Sequence, residues 1–298
     1  PPTHTLSLLD ALPISFSSNW DRACELYAFI KGGTVDYGAA HSQKYGHARF
    51  GEQYPGVFPE WGTYSEETGR THTVHLIGHS MGGQTVRLLT ELLAHGDTIE
   101  IAASKVNRPR KEKLNTKDTA VQGVSELFSG GHSWVSSIST IATPHDGTTL
   151  TERYSNFNFL HKVFAGLVAH SSLQKEDPLI ELHLGHWSTL KRPVESFEQF
   201  VMRAIRKDLW KQTRDFSYYD LTLSGAKQLN KRTATQPDVY YFSWATSRTQ
   251  PKEDTGRHVP MRGMSLLLRP TARYMGSLPQ LPGGIDGDPE VWWENDGM

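Results

Sequence analysis

The pentapeptide Gly78-His79-Ser80-Met81-Gly82 constrains this chain more than any other feature, because of what flanks it. Upstream, Thr71–Gly78 (THTVHLIG) nearly alternates apolar and polar residues, the pattern of a short buried strand. Downstream, Val86, Leu88, Leu89, Leu92 and Leu93 recur at helical spacing within Gln84–His95. Leaving a strand and entering a helix this abruptly calls for glycines two positions either side of the serine, where a Cβ would clash. The serine is then held in a strained conformation with its oxygen exposed, and the amide dipoles of the helix point at the same place. A bare GxSxG is a weak signal, but in this context it predicts a nucleophilic Ser80, with the Met81 N–H stabilising a developing oxyanion. The plain alternative is a strand–turn–helix corner without chemistry.

At 298 residues the chain has room for one large domain or two small ones, and for a substantial core. A net charge of -1 gives no field to attract nucleic acid. No run of 18 or more apolar residues occurs, so no transmembrane helix is expected. The single cysteine, Cys24, excludes an internal disulfide and a Cys-based zinc cluster. It reads as a small buried helix residue.

Residues 1–15 lack the zones of a signal peptide and resemble translated adapter sequence, so they are expected to be a non-native leader. A native strand and loop is the alternative. Asn19 is a candidate cap for a helix over Trp20–Lys31, stopped by Gly32-Gly33. Residues 34–62 carry many Gly, His and aromatic residues without a period and read as a structured loop. The basic stretch 96–125 reads as a solvated surface insertion. Trp134–Ala142 and Val239–Trp244 are further strand candidates, and 155–170 and 196–210 are amphipathic helix candidates. Strands alternating with helices predict an α/β fold with a mostly parallel sheet.

Several longer strings carry a family resemblance. Ser18-Asn19-Trp20-Asp21-Arg22-Ala23-Cys24-Glu25, Gly33-Thr34-Val35-Asp36-Tyr37-Gly38-Ala39-Ala40-His41 and Tyr45-Gly46-His47-Ala48-Arg49-Phe50-Gly51 resemble the thermoalkalophilic lipases of Geobacillus and the related staphylococcal lipases. So do Ile141-Ala142-Thr143-Pro144-His145-Asp146-Gly147-Thr148-Thr149-Leu150, Tyr219-Asp220-Leu221, Leu223-Ser224-Gly225-Ala226 and Trp293-Glu294-Asn295-Asp296-Gly297. The resemblance runs in family order over residues 16–298. It implies an α/β-hydrolase fold, a small zinc-binding subdomain (residues 20–60 and 205–235) and a helical lid (151–175). It implies a secreted lipase acting on triacylglycerols and other esters at a lipid–water interface.

The resemblance places structural zinc on Asp21, His41, His47 and Asp220, a set of N and O donors suited to a closed tetrahedral site. Judged by spacing alone, these would be surface histidines and a helix-cap aspartate. Asp296 corresponds to the catalytic aspartate, although an aspartate in Asn-Asp-Gly reads by itself as a turn residue. The catalytic histidine lies downstream in the family, so it is expected to be missing here, with little activity from this chain alone. The upstream loop that supplies a second oxyanion amide has no counterpart in Pro1–Phe16. Of the family's calcium site only Gly263 aligns, and weakly, so poor calcium binding is expected. Phe157, Phe159, Leu160, Val163, Phe164, Leu167 and Val168 form the apolar stripe of the lid. Two other functions fit the residues: a non-catalytic, zinc-containing relative that binds lipid surfaces, and an esterase for short acids.

Overall fold

The computed structural model describes residues 5–7, 17–106, 123–153, 199, 213–266, 268–281 and 287–297. Of the lid segment only residues 151–153 are described, and the helix candidates at 155–170 and 196–210 lie outside these residues apart from Gln199.

In chain order the elements begin with β1 (Thr5–Ser7), α1 (Asn19–Lys31), β2 (Gly33–Asp36), α2 (Ala39–Tyr45), β3 (Phe50–Tyr54), β4 (Tyr64–Ser65) and β5 (Arg70–Thr71). Next come β6 (Val74–His79), α3 (Met81–His95), α4 (Thr98–Val106), α5 (Glu126–Ser129), β7 (Val135–Ile141) and α6 (Leu150–Arg153). They continue with α7 (Ser217–Leu221), α8 (Leu223–Arg232), β8 (Tyr240–Trp244), β9 (Thr249–Pro251), β10 (His258–Pro260) and α9 (Arg269–Met275). The main sheet has the order β1-β6-β7-β8 and every pairing in it is parallel. Thr5–Ser7, within the expected leader, pairs with His75–Ile77 and supplies one edge.

Strand β6 buries Val74, Leu76 and Gly78 on one face, which is the alternation seen in the sequence. Helix α3 covers the sheet with Val86, Leu89, Leu92 and Leu93, all fully buried. Helix α1 packs against α3, and its Ala23, Cys24, Leu26 and Ile30 join the same core. Leu89→Ala is expected to cost about 2–5 kcal/mol, read as a lower urea midpoint at unchanged slope.

Four local expectations change. Ser18, not Asn19, caps α1: its Oγ accepts from the Asp21 N–H at 3.2 Å, and Asn19 sits inside the helix. The stretch 34–62 is not one loop. It folds as the antiparallel pair β2–β3 with α2 between them. Because that hairpin is short and glycine-rich, hydrophobic period gives it no signature. Thr98–Val106, inside the supposed surface insertion, is helix α4, and its Glu100 is buried. The strand expected from Thr71 begins at Val74, since Arg70–Thr71 pair instead with Tyr64–Ser65.

Candidate active site and metal centre

Parallel strands deliver their following loops to one edge of a sheet, and here that edge carries the candidate residues Ser80 and Asp296. Strand β6 ends at His79, and Ser80 turns the chain at φ 52 and ψ −128 before α3 starts at Met81. For a residue with a Cβ this is a strained conformation, normally left to glycine. The turn closes only because Gly78 is a glycine: a Cβ there would stand 2.5 Å from Gly83 N and 2.6 Å from Gly82 C. Gly83 has no room either, with Thr143 Oγ1 2.1 Å from its would-be Cβ. Gly78→Ala is therefore expected to destabilise by about 1–3 kcal/mol and to displace Ser80, measured together as melting temperature and serine reactivity.

The Ser80 hydroxyl makes no capping bond to α3, so its oxygen is not spent on the helix. The Met81 N–H belongs to the first turn, where amides lack an intrahelical acceptor and can meet negative charge. The Ser80 N–H donates to Ile141 O, and the Ala142 N–H donates to Trp244 O, which aligns the ends of β6, β7 and β8. Just beyond β8, Thr246 Oγ1 donates to Asp296 Oδ2 at 2.6 Å. The Asn295 N–H donates to Thr249 Oγ1, and the Arg248 N–H donates to Asn295 O, so the Asn295-Asp296-Gly297 segment is laced to the chain leaving β8. Ser80 thus follows β6, and Asp296 is bonded to the chain that follows β8, with β7 between the two strands.

The nearby histidines have other engagements. His145 Nδ1 lies 3.1 Å from Arg87 Nη1 and Nε2 lies 3.0 Å from Thr140 Oγ1. Burial and the Arg87 charge pull its pKa below the ordinary histidine value. His75 Nδ1 lies 2.7 Å from Ser137 Oγ, back along the strand. Gly263 has φ 90, and a Cβ there would stand 3.0 Å from Arg248 Nη2; a guanidinium is a poor neighbour for a calcium ion.

Among the described residues, one group of metal-ligand type comes together, and it is not quite the expected one. Asp21, His41, His47 and Asp215 each offer one donor atom, and these atoms lie within 4.8 Å of one another. His41 Nε2 is 3.3 Å from Asp21 Oδ1 and 3.1 Å from Asp215 Oδ2, and His47 Nε2 is 3.3 Å from Asp215 Oδ2. Donors about 2.0 Å from the centre of a tetrahedron stand about 3.3 Å apart, the spacing of these three pairs, so the group could hold a metal ion. Two carboxylates also balance its charge. Burial works against charge on His41, but the Asp21 and Asp215 carboxylates outweigh it and raise its pKa to about 9. A proton there answers the same demand for positive charge that a divalent cation would.

Asp215 takes the place expected for Asp220. Phe216 bridges to Ser17, which brings Asp215 to the start of α1, one turn from Asp21. Asp220, five residues on, lies within α7, and its Oδ2 accepts from the Asn19 N–H. Burial, against the pull of Arg22 and the Asn19 N–H, raises its pKa to about 7. Aspartates five residues apart in one short segment are indistinguishable by pattern; only the bridge selects between them.

A buried polar network links this cluster to the elbow. Asn19 Nδ2 donates to Gln84 Oε1, and Gln84 Nε2 donates to Pro144 O. Arg22 Nε donates to Thr85 Oγ1 and its Nη1 donates to Ser17 O. Gln84 and Thr85, neither of which stood out in the sequence, therefore tie the first turns of α3 to the helix that carries Asp21.

A strained serine elbow at the carboxyl edge of a parallel sheet, beside a two-histidine, two-aspartate cluster, has the layout of a lipase fold. Residues 7–298 match the family model described as "Lipase-like, C-terminal domain", and the chain belongs to that family. It is 37% identical over 287 residues to Lipase 2 of Staphylococcus aureus, covering 95% of this chain and 36% of that protein. It is 36% identical to the lipase of Staphylococcus hyicus, covering 39% of that protein. The chain therefore spans well under half the length of these curated relatives. Among solved structures, EstA from Clostridium botulinum aligns with TM-score 0.79 and 40% identity, covering 94% of this chain and 61% of that one. Lipase 1 from Pelosinus fermentans aligns with TM-score 0.75 and 41% identity, covering 94% and 69%. No helix among the described residues is long and apolar enough to cross a membrane.

Proposed function

We propose that this chain is part of a secreted α/β-hydrolase that cleaves triacylglycerols and other carboxylic esters through Ser80. The observation that carries this reading is the elbow, a serine held at φ 52 between β6 and α3 with its hydroxyl free of the helix cap. Membership of the lipase family supports the ester substrate. In this mechanism a histidine base takes the Ser80 proton as Oγ bonds to the ester carbonyl carbon. The resulting oxyanion meets the Met81 N–H. Collapse expels the alcohol, which takes the proton from the imidazolium, and leaves an acyl-serine. Water, deprotonated by the same base, then attacks the acyl carbon, the bond to Ser80 Oγ breaks as Oγ takes the proton back from the imidazolium, and the fatty acid is released. Asp296 orients the base and stabilises its charged form, and Thr246 holds Asp296 for that role.

The family order Ser, Asp, His puts the base after Asp296. Residues 1–298 alone are accordingly expected to hydrolyse p-nitrophenyl esters near background, while a version extended at both ends is active. In the extended protein Asp296→Asn is expected to lower kcat by about 10⁴-fold, the loss seen when a triad aspartate is neutralised. Ser80-dependent turnover by residues 1–298 would remove the downstream base from the scheme.

The second part of the proposal is structural Zn²⁺ at Asp21, His41, His47 and Asp215. Four protein donors close the coordination shell, so the ion binds no substrate and fastens the β2–α2–β3 segment to α1 and to the chain before α7. The lid remains proposed for residues 151–175, where a broad apolar stripe suits contact with an oil surface.

A further inference from the structure

We infer that Glu100 is a positioning residue for the metal cluster, holding His41 through its backbone. This rests on the metal reading above. His41 is delivered by α2, a helix of 7 residues whose N-cap is Gly38 and has no side chain to accept from the first amides. Glu100 reaches across from α4 to do so. Its Oε2 accepts from the Ala40 N–H at 3.0 Å and its Oε1 accepts from the His41 N–H at 2.7 Å. One carboxylate thereby grips the ligand residue itself and the residue before it.

The surroundings are shaped to keep that carboxylate in place. Glu100 is buried, 4% exposed. A Cβ on Gly38 would stand 2.4 Å from Glu100 Cδ, and Gly38 sits at φ 91, so the position is closed to other residues twice over. The Gly38 N–H donates to Asp36 Oδ1, which fixes the approach to α2. Behind Glu100, its own N–H donates to Asp97 Oδ1, and Arg232 Nη2 donates to Asp97 Oδ2. The Arg232 guanidinium then lies over the Trp20 ring, 4.6 Å from its centroid. Trp20 in turn stacks on the His41 imidazole at 4.9 Å with the planes 11° apart. His41 is thus held from its backbone by Glu100 and across its ring by Trp20, with Asp97 and Arg232 joining the two supports.

A ligand held this way meets a cation without first being ordered, and outer partners of metal ligands typically contribute about 10–100-fold in affinity. The test uses residues 1–298 loaded with Co²⁺ or Zn²⁺, with affinity read by chelator competition and the Co²⁺ ligand-field bands as a signature of geometry. Glu100→Ala is expected to weaken both ions by about 10–100-fold and to alter the Co²⁺ bands. Glu100→Gln, whose amide oxygen still accepts one of the two N–H groups, is expected to fall between. The gap between melting temperatures in Zn²⁺ and in excess EDTA narrows in Glu100→Ala. A parallel fall of both temperatures with unchanged affinity would show a merely structural role and overturn the inference. If Glu100→Ala does not fold, Glu100→Gln and Glu100→Asp carry the test, and unaltered Co²⁺ bands and affinity in both defeat it. A parent chain that binds neither ion overturns the metal reading and this inference together, whereas tight binding by both parent and Glu100→Ala overturns the inference alone.

Discussion

Ser80→Ala in the extended protein is expected to lower kcat for ester hydrolysis by about 10⁶-fold, the scale set when a triad serine is removed from a hydrolase. The reason is geometric as much as chemical. A serine hydroxyl at neutral pH reacts only when a base and oxyanion donors surround it, and in the proposed mechanism the elbow presents Ser80 to both. The same residue stores strain, because φ 52 and ψ −128 lie outside the regions that a side chain favours. Ser80→Gly therefore separates two properties: it abolishes hydrolysis yet raises stability by about 1 kcal/mol as the strain is released. Esterase assays beside urea unfolding read both. Residual Ser80-independent turnover above background would show that the elbow is not the seat of the chemistry, and a Ser80→Gly protein less stable than the parent would show that it stores no strain.

The second large effect concerns the metal. Asp215→Ala is expected to abolish stoichiometric zinc binding, while Asp220→Asn retains it. Asp215 Oδ2 stands 3.1 and 3.3 Å from the two histidine nitrogens, whereas the Asp220 carboxylate is engaged with the backbone of Asn19. Chelation of the parent should lower stability by about 4 kcal/mol where zinc is present at 1,000 times its Kd. For a domain of this size that corresponds to a fall in melting temperature of roughly 10 °C. Asp215→Ala should already lie at the chelated value and respond to EDTA no further. Zinc retained by Asp215→Ala and lost from Asp220→Asn would return the site to the ligand set expected from family resemblance.

Both predictions lean on features of different legibility. The elbow at Ser80 could be read from five residues because it is local: the glycines, the strand and the helix that form it are contiguous. The core was legible for a similar reason, since Val74, Leu76, Leu89 and Leu93 keep the period of their own elements. Asp21, His41 and His47 were reached through resemblance, because no spacing rule joins a helix residue to a hairpin. The hairpin itself went unseen: Gly33–Asp36 and Phe50–Tyr54 are too short and too mixed to show a period. Glu100 sat in a stretch whose charge suggested solvent, and nothing in the line of residues says that Gly38 leaves a space for its carboxylate.

What the sequence determined by itself was the elbow and the family, because a strained turn needs particular residues at adjacent positions and leaves them visible in order. Only the tertiary structure decided which aspartate completes the cluster. It also brought Asp296 to Thr246 at the carboxyl edge of the sheet and joined the metal helix to the elbow through Asn19, Arg22, Gln84 and Thr85. Those choices depend on contacts between residues dozens to hundreds of positions apart. Such contacts are set by the bridge of Ser17 to Phe216, the parallel register of β6, β7 and β8, and the packing of α1 on α3. Local pattern carries no term for any of them.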